Sequence, residues 1–116
     1  METNSPSPFV FSIYDFFYIK GRGVVITGHP ISGVAELGQE IDLLDTCGIR
    51  KQVTITGIER AGLRTTPIGL LLRGPKTIEE IQECGLAVER GLKTTSYVPI
   101  IEAYRKEIDE QSKSMD

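Results

Sequence analysis

A chain of 116 residues with 40% hydrophobic and 25% charged side chains has the length and balance of one globular domain. Its 13 basic and 16 acidic residues give a net charge of −3, which argues against a general nucleic-acid coat, because neutralising phosphates takes clustered Lys and Arg. Two cysteines, Cys47 and Cys84, make no disulfide framework. No Cys/His spacing points to zinc, and no apolar run reaches the length of a membrane helix. A soluble, cytoplasmic protein with no metal, no cofactor and no membrane partner is expected.

Residues 1–8 are polar and proline-rich, the composition of a disordered lead without a signal peptide. Phe9–Ile19 is aromatic and β-branched and reads as a strand. Its alternation breaks at Asp15-Phe16-Phe17, which predicts a bulge or burial on both faces. Gly21-Arg22-Gly23 turns the chain into a return strand over Val24–His29, making a hairpin. A loop over Pro30–Gly38 leads to a short strand, Glu40–Leu44, and a turn at Asp45–Gly48. Ile49–Glu59 alternates as a fourth strand, with Gly57 marking a bulge. Arg60–Thr66 reads as a loop, and Ile68–Leu72 as a strand buried on both faces.

Thr77 and Glu80 have capping-box spacing for a short helix near 77–84, which Gly85 can end. Leu86–Glu89 is the closing strand. The sum is an all-β domain over 9–92: a small closed barrel of about six antiparallel strands, since closure removes exposed sheet edges. Residues 93–110 are a linker and a C-terminal amphipathic helix. In it Ile100, Ile101, Tyr104 and Ile108 share a face, with Pro99 in the first turn. Residues 111–116 read as a disordered tail.

Several segments in fixed order resemble the second, β-barrel domain of the translational GTPases, the family of elongation factor Tu. The strongest is Asp15-Phe16-Phe17-Tyr18-Ile19-Lys20-Gly21-Arg22-Gly23-Val24-Val25-Ile26-Thr27-Gly28. It is supported by Leu37–Ile41, Thr56-Gly57-Ile58-Glu59, Gly69-Leu70-Leu71-Leu72-Arg73-Gly74 and Glu79-Glu80-Ile81. The resemblance covers about Phe9–Val88. It implies a barrel that helps hold the 3′ end of an aminoacyl-RNA. Ile19, Val25 and Leu71 match an apolar pocket for the terminal adenine, which Glu59 closes, and Asp15 and Phe17 match positions near the aminoacyl group. The sequence departs from the family pattern at Pro67, where an asparagine is usual, and at Arg60-Ala61 and Glu83-Cys84. The GTPase domain that precedes this barrel in the family has no counterpart in the sequence.

Asp15 fits two roles, a ligand group or a carboxylate satisfying backbone amides at a bulge. Arg73 fits phosphate binding or hydrogen bonding to loop carbonyls. His29 has no Ser or Cys partner for nucleophilic catalysis, and no phosphate loop is present. A non-catalytic binding module is therefore expected, translation-related, with an RNA 3′ end or a protein as partner. The alternative is a protein–protein or homo-oligomerisation scaffold that uses the C-terminal helix.

Overall fold

The computed structural model describes residues 7–60, 67–75 and 77–113. Six antiparallel strands form a closed barrel: β1 (Val10–Ile19), β2 (Gly23–Ser32), β3 (Glu40–Asp45), β4 (Arg50–Arg60), β5 (Ile68–Arg73) and β6 (Cys84–Glu89). Around the barrel the order is β1-β2-β5-β4-β3-β6. One helix, α1 (Thr94–Lys113), follows. Among the described residues no helix is long and apolar enough to cross a membrane.

Among the register shifts of the barrel, the bulges in the middle of β1 and of β4 exchange inward and outward faces within their strands. In β1 the odd positions Phe9, Phe11 and Ile13 face the core; the register then slips by one residue at Tyr14, and Phe16 takes over. In β4 Val53 and Ile55 face the core, the register slips at Thr56, and Ile58 continues. The period of a strand is two, so an extra residue exchanges the faces beyond it. Both broken alternations visible in the sequence have this single cause. Tyr14, Asp15, Phe17, Tyr18 and Ile19 are all exposed, so the second half of β1 is not buried on both faces. Nor is β5: Ile68, Leu70 and Leu72 are buried, while Gly69 and Leu71 lie half-buried on the outer face.

Closure depends on β1, which pairs with β2 along its length and with β6 only at Val10–Ser12. Phe9 extends that seam: its carbonyl accepts from the Glu89 amide at 3.0 Å, and its own amide donates to Glu89 Oε1 at 3.1 Å. The rings of Phe9 and Phe11 stack at 5.9 Å inside. At the β1 bulge the two backbones nearly touch. A Cβ added to Gly28 would lie 1.8 Å from the Ser12 carbonyl oxygen, so only glycine fits there.

A buried ion cluster ties β3 to its neighbours. Asp42 is 3% exposed. Its Oδ2 accepts from Arg50 Nη1 at 2.9 Å and from the Gly91 amide at 3.0 Å. Arg90 stands 3.7 Å from Oδ1, pairs with Glu40 at 2.7 Å and donates to the Val53 carbonyl at 3.1 Å. Arg50 also donates to the Leu92 carbonyl. The cluster fixes the turn that leads from β6 to α1.

The segment after β5 corrects one expectation. Residues Ile78–Glu80 form a single 3-10 turn, and Thr77 makes no side-chain cap. Its hydroxyl meets the Glu80 carboxylate at 3.4 Å instead. Three residues are too few to present the free amides a capping box serves, and Gly85 lies within β6 rather than ending a helix. The C-terminal helix also differs from its expected bounds. It begins at Thr94 and holds Pro99 in its interior. An interior proline costs about 3 kcal/mol. Here Leu92, Tyr97, Ile100 and Ile101 pack on Val10, Leu44 and Val88, and that burial offsets the loss. The helix runs to Lys113, into the segment read as a tail. Residues 1–6, most of the 60–66 loop and 114–116 lie outside the described residues.

Two outcomes are expected in chemical denaturation. Gly28→Ala forces β1 and β2 apart and costs about 4 kcal/mol or more, whereas Gly85→Ala, with nothing within 4 Å of its added Cβ, stays within about 0.5 kcal/mol of the parent. Asp42→Asn keeps the shape but removes the charge that Arg50 and Arg90 face, and lowers stability by about 3–5 kcal/mol; a loss below about 1 kcal/mol would contradict this account of the cluster.

Candidate functional site

The bulges carry a row of residues onto the outer face of β1, β2, β5 and β4. In register, Asp15 stands beside Thr27, Thr27 beside Gly69, and Gly69 beside Glu59. The adjacent row runs Phe17, Val25, Leu71, Gly57. Two of these eight positions have no side chain, and the sheet surface is therefore hollow over β5 and β4. A depression of about 550 Å³ lies there, walled by Phe17, Ile19, Val25, Thr27 and Pro67, with Gly69 in its floor and Glu59 at its rim. That volume falls in the range of small-molecule sites, but the depression is open rather than enclosed.

The structure thus brings Phe17, Ile19, Val25 and Glu59 together from three strands. Leu71 sits one register position away, beside Val25 and opposite Gly57, where an added Cβ would meet its own Cβ at 3.2 Å. It braces the wall rather than lining the hollow. Asp15 stands apart: its Oδ1 accepts from the Phe16 amide at 2.8 Å, the backbone-satisfying role that a bulge calls for. Arg73 is exposed on the same face, beside Thr54 and beyond Leu71. It lies outside the hollow.

Sequence reasoning did not single out Thr27, Gly69 or the part Arg22 plays. Arg22 projects from the β1–β2 turn and pairs with Glu59 at 3.3 Å. Both side chains are more than half exposed, so the pair contributes roughly 0–1 kcal/mol and leaves the carboxylate available to a ligand. The signal that could have found Gly69 is the register itself: an outward-facing glycine beside an outward-facing valine and glutamate marks a floor. Pro67, named as a departure from the family pattern, forms part of the wall.

A second polar group lies where α1 meets the barrel. Tyr14, the bulged residue, places its hydroxyl 2.7 Å from His29 Nδ1, with the rings edge-on at 5.1 Å. Burial raises the Tyr14 pKa above its ordinary value, and the nearby Tyr104 hydroxyl raises it further. Tyr14 therefore stays neutral and able to donate. Burial likewise raises the Cys84 thiol, aided by the Asp45 carboxylate; Cys84 packs in the core as an apolar group and Cys47 is exposed. Among the described residues no group of three His, Cys, Asp or Glu side chains could hold a metal ion. No protein-family model matches the chain.

Proposed function

We propose that this chain is a non-catalytic binding module of the type found as the second domain of the translational GTPases. In this reading the hollow over Gly69 holds the single-stranded 3′ end of an acceptor RNA. The observation that carries the reading is the meeting of Phe17, Ile19, Val25 and Glu59 around a glycine floor. Such a surface suits a flat ring: apolar walls take its face, and a rim carboxylate accepts from an exocyclic amine. Arg22 and Arg73, exposed on or near this face, supply local positive charge on a chain whose net charge is negative. A role beside translation places the protein in the cytoplasm.

A protein scaffold acting through α1 has less support. Ile100 and Ile101, the first half of the helix's apolar stripe, already pack on the barrel beside Tyr97, and a surface buried at home is not offered to a partner.

The test is fluorescence anisotropy with aminoacylated and uncharged acceptor-end fragments at two salt concentrations. Glu59→Ala removes the acceptor. Gly69→Ala raises the floor, since its added Cβ meets only side-chain atoms at 3.4–3.9 Å and the barrel tolerates it. Each variant is expected to weaken binding about tenfold, the scale of one base stacked on a protein surface, with an unchanged melting temperature. Absence of binding at low salt, or binding by both variants as tight as the parent's, would overturn the reading.

A further inference from the structure

We propose that the cleft between α1 and the outer face of β6 and β3 is a binding site for a free α-amino acid with an apolar side chain. The first part of the helix packs on Val10, Val88 and Leu44. Farther along, a gap of about 360 Å³ stays open between helix and sheet, a size at the small end of ligand sites. Its floor is the row Ser12, Leu86 and Leu44, which stand side by side on β1, β6 and β3. β6 carries a bulge here against β3. Leu44 stands beside Leu86 and Asp45 beside Cys84, so Gly85 is the extra residue. A Cβ added to Gly85 would meet nothing within 4 Å, and the sheet leaves the space above it unfilled. From the other side Ile101 and Tyr104 close the cleft along one helix face.

The ligand follows from the two charges that line the cleft. Asp45 is the last residue of β3 and half-buried. Its Oδ1 accepts from the Cys47 and Ile49 amides at 2.8 and 2.9 Å, so the β3–β4 turn fixes the carboxylate. Its Oδ2 has no hydrogen-bond partner among the described residues. Arg105, one turn beyond Ile101, lines the cleft from α1. It is exposed, and no ion pair joins it to Asp45 or to any other described residue. A fixed carboxylate on the barrel and a free guanidinium on the helix suit a ligand that carries both opposite charges beside an apolar body. The ammonium of an α-amino acid donates to Asp45 Oδ2. Its carboxylate accepts two parallel bonds from Arg105, and its side chain lies over Gly85 between Leu86 and Ile101. A ligand with one charge leaves Asp45 or Arg105 without a partner in a space narrowed by apolar groups, which is unfavourable. The cleft shares no residue with the hollow over Gly69, so the inference does not rest on the proposed RNA ligand.

The experiment is an NMR titration of the full chain with L-leucine and with two analogues of the same shape. One is 4-methylpentanoate, which lacks the amine; the other is 3-methylbutylamine, which lacks the carboxylate. L-Leucine is expected to bind with a dissociation constant of about 1 mM or below, moving the Leu86 and Ile101 methyls. Each analogue binds about tenfold more weakly, the loss of one charge-assisted pair. Arg105→Gln weakens L-leucine about tenfold without weakening 3-methylbutylamine, so the discrimination between the two disappears. Gly85→Val fills the floor at a strand position that suits a β-branched residue; it abolishes binding of L-leucine without lowering the melting temperature. No shift with L-leucine at about 10 mM, an analogue that binds as tightly as L-leucine, or L-leucine binding unchanged in Arg105→Gln or Gly85→Val would each overturn the proposal. Acceptor-RNA binding by Arg105→Gln, measured separately, should match the parent's and reports on the hollow alone.

Discussion

Two extra residues, Tyr14 in β1 and Thr56 in β4, shape both the inside and the outside of this barrel. Without them the period of two would carry Asp15 and Phe17 inward after Phe9, Phe11 and Ile13. It would carry Gly57 and Glu59 inward after Val53 and Ile55. Two carboxylates would then be buried in an apolar core, at a cost far above the stability of a small domain. The bulges move those side chains to the outer face and bring Phe16 and Ile58 into the core in their place. The hollow is therefore a consequence of keeping the core apolar. The contact that holds the first bulge is the approach of the Ser12 carbonyl to Gly28, where no side chain fits.

The rest of the barrel is stabilised elsewhere. On β3, β6 and the first half of β1, the outer face is covered by α1, and the Asp42 cluster locks the turn leading into the helix. On β5, β4 and the first half of β2 the outer face stays open, while Ile31 at the end of β2 packs against α1. One side of the molecule is thus committed to holding the fold and the other is left uncovered.

β1, β2 and β4 were legible as β-branched or aromatic runs beside glycine turns, and β3, β5 and β6 as short apolar runs between turn residues. Gly57 and the break near Asp15 announced the bulges, though not which residue was extra. β5 was misread as doubly buried because Leu71, which braces the hollow, is as apolar as its core-facing neighbours; periodicity cannot separate a wall from a core. The start of α1 was misplaced because Pro99 carries a strong N-terminal signal that local rules cannot see overridden by the packing of Tyr97 and Leu92. The Asp42 cluster joins residues from three separate segments, and nothing local in Glu-Ile-Asp-Leu-Leu names Arg50 or Arg90 as partners. Of the candidate site residues, Phe17, Ile19, Val25 and Glu59 lie around the hollow; Asp15 serves the backbone, and Leu71 and Arg73 stand outside it.

The central claim is that the outer-face hollow is the place of contact. The most direct measurement is an NMR titration of the isotope-labelled chain with an acceptor-end oligonucleotide, following backbone amides and methyl groups. The account predicts shifts centred on Val25, Thr27, Gly69 and Glu59, with the Ile19 methyls among them and the α1 amides unmoved. Shifts confined to α1 or to the β3–β4 turn, or none at millimolar ligand, would contradict it.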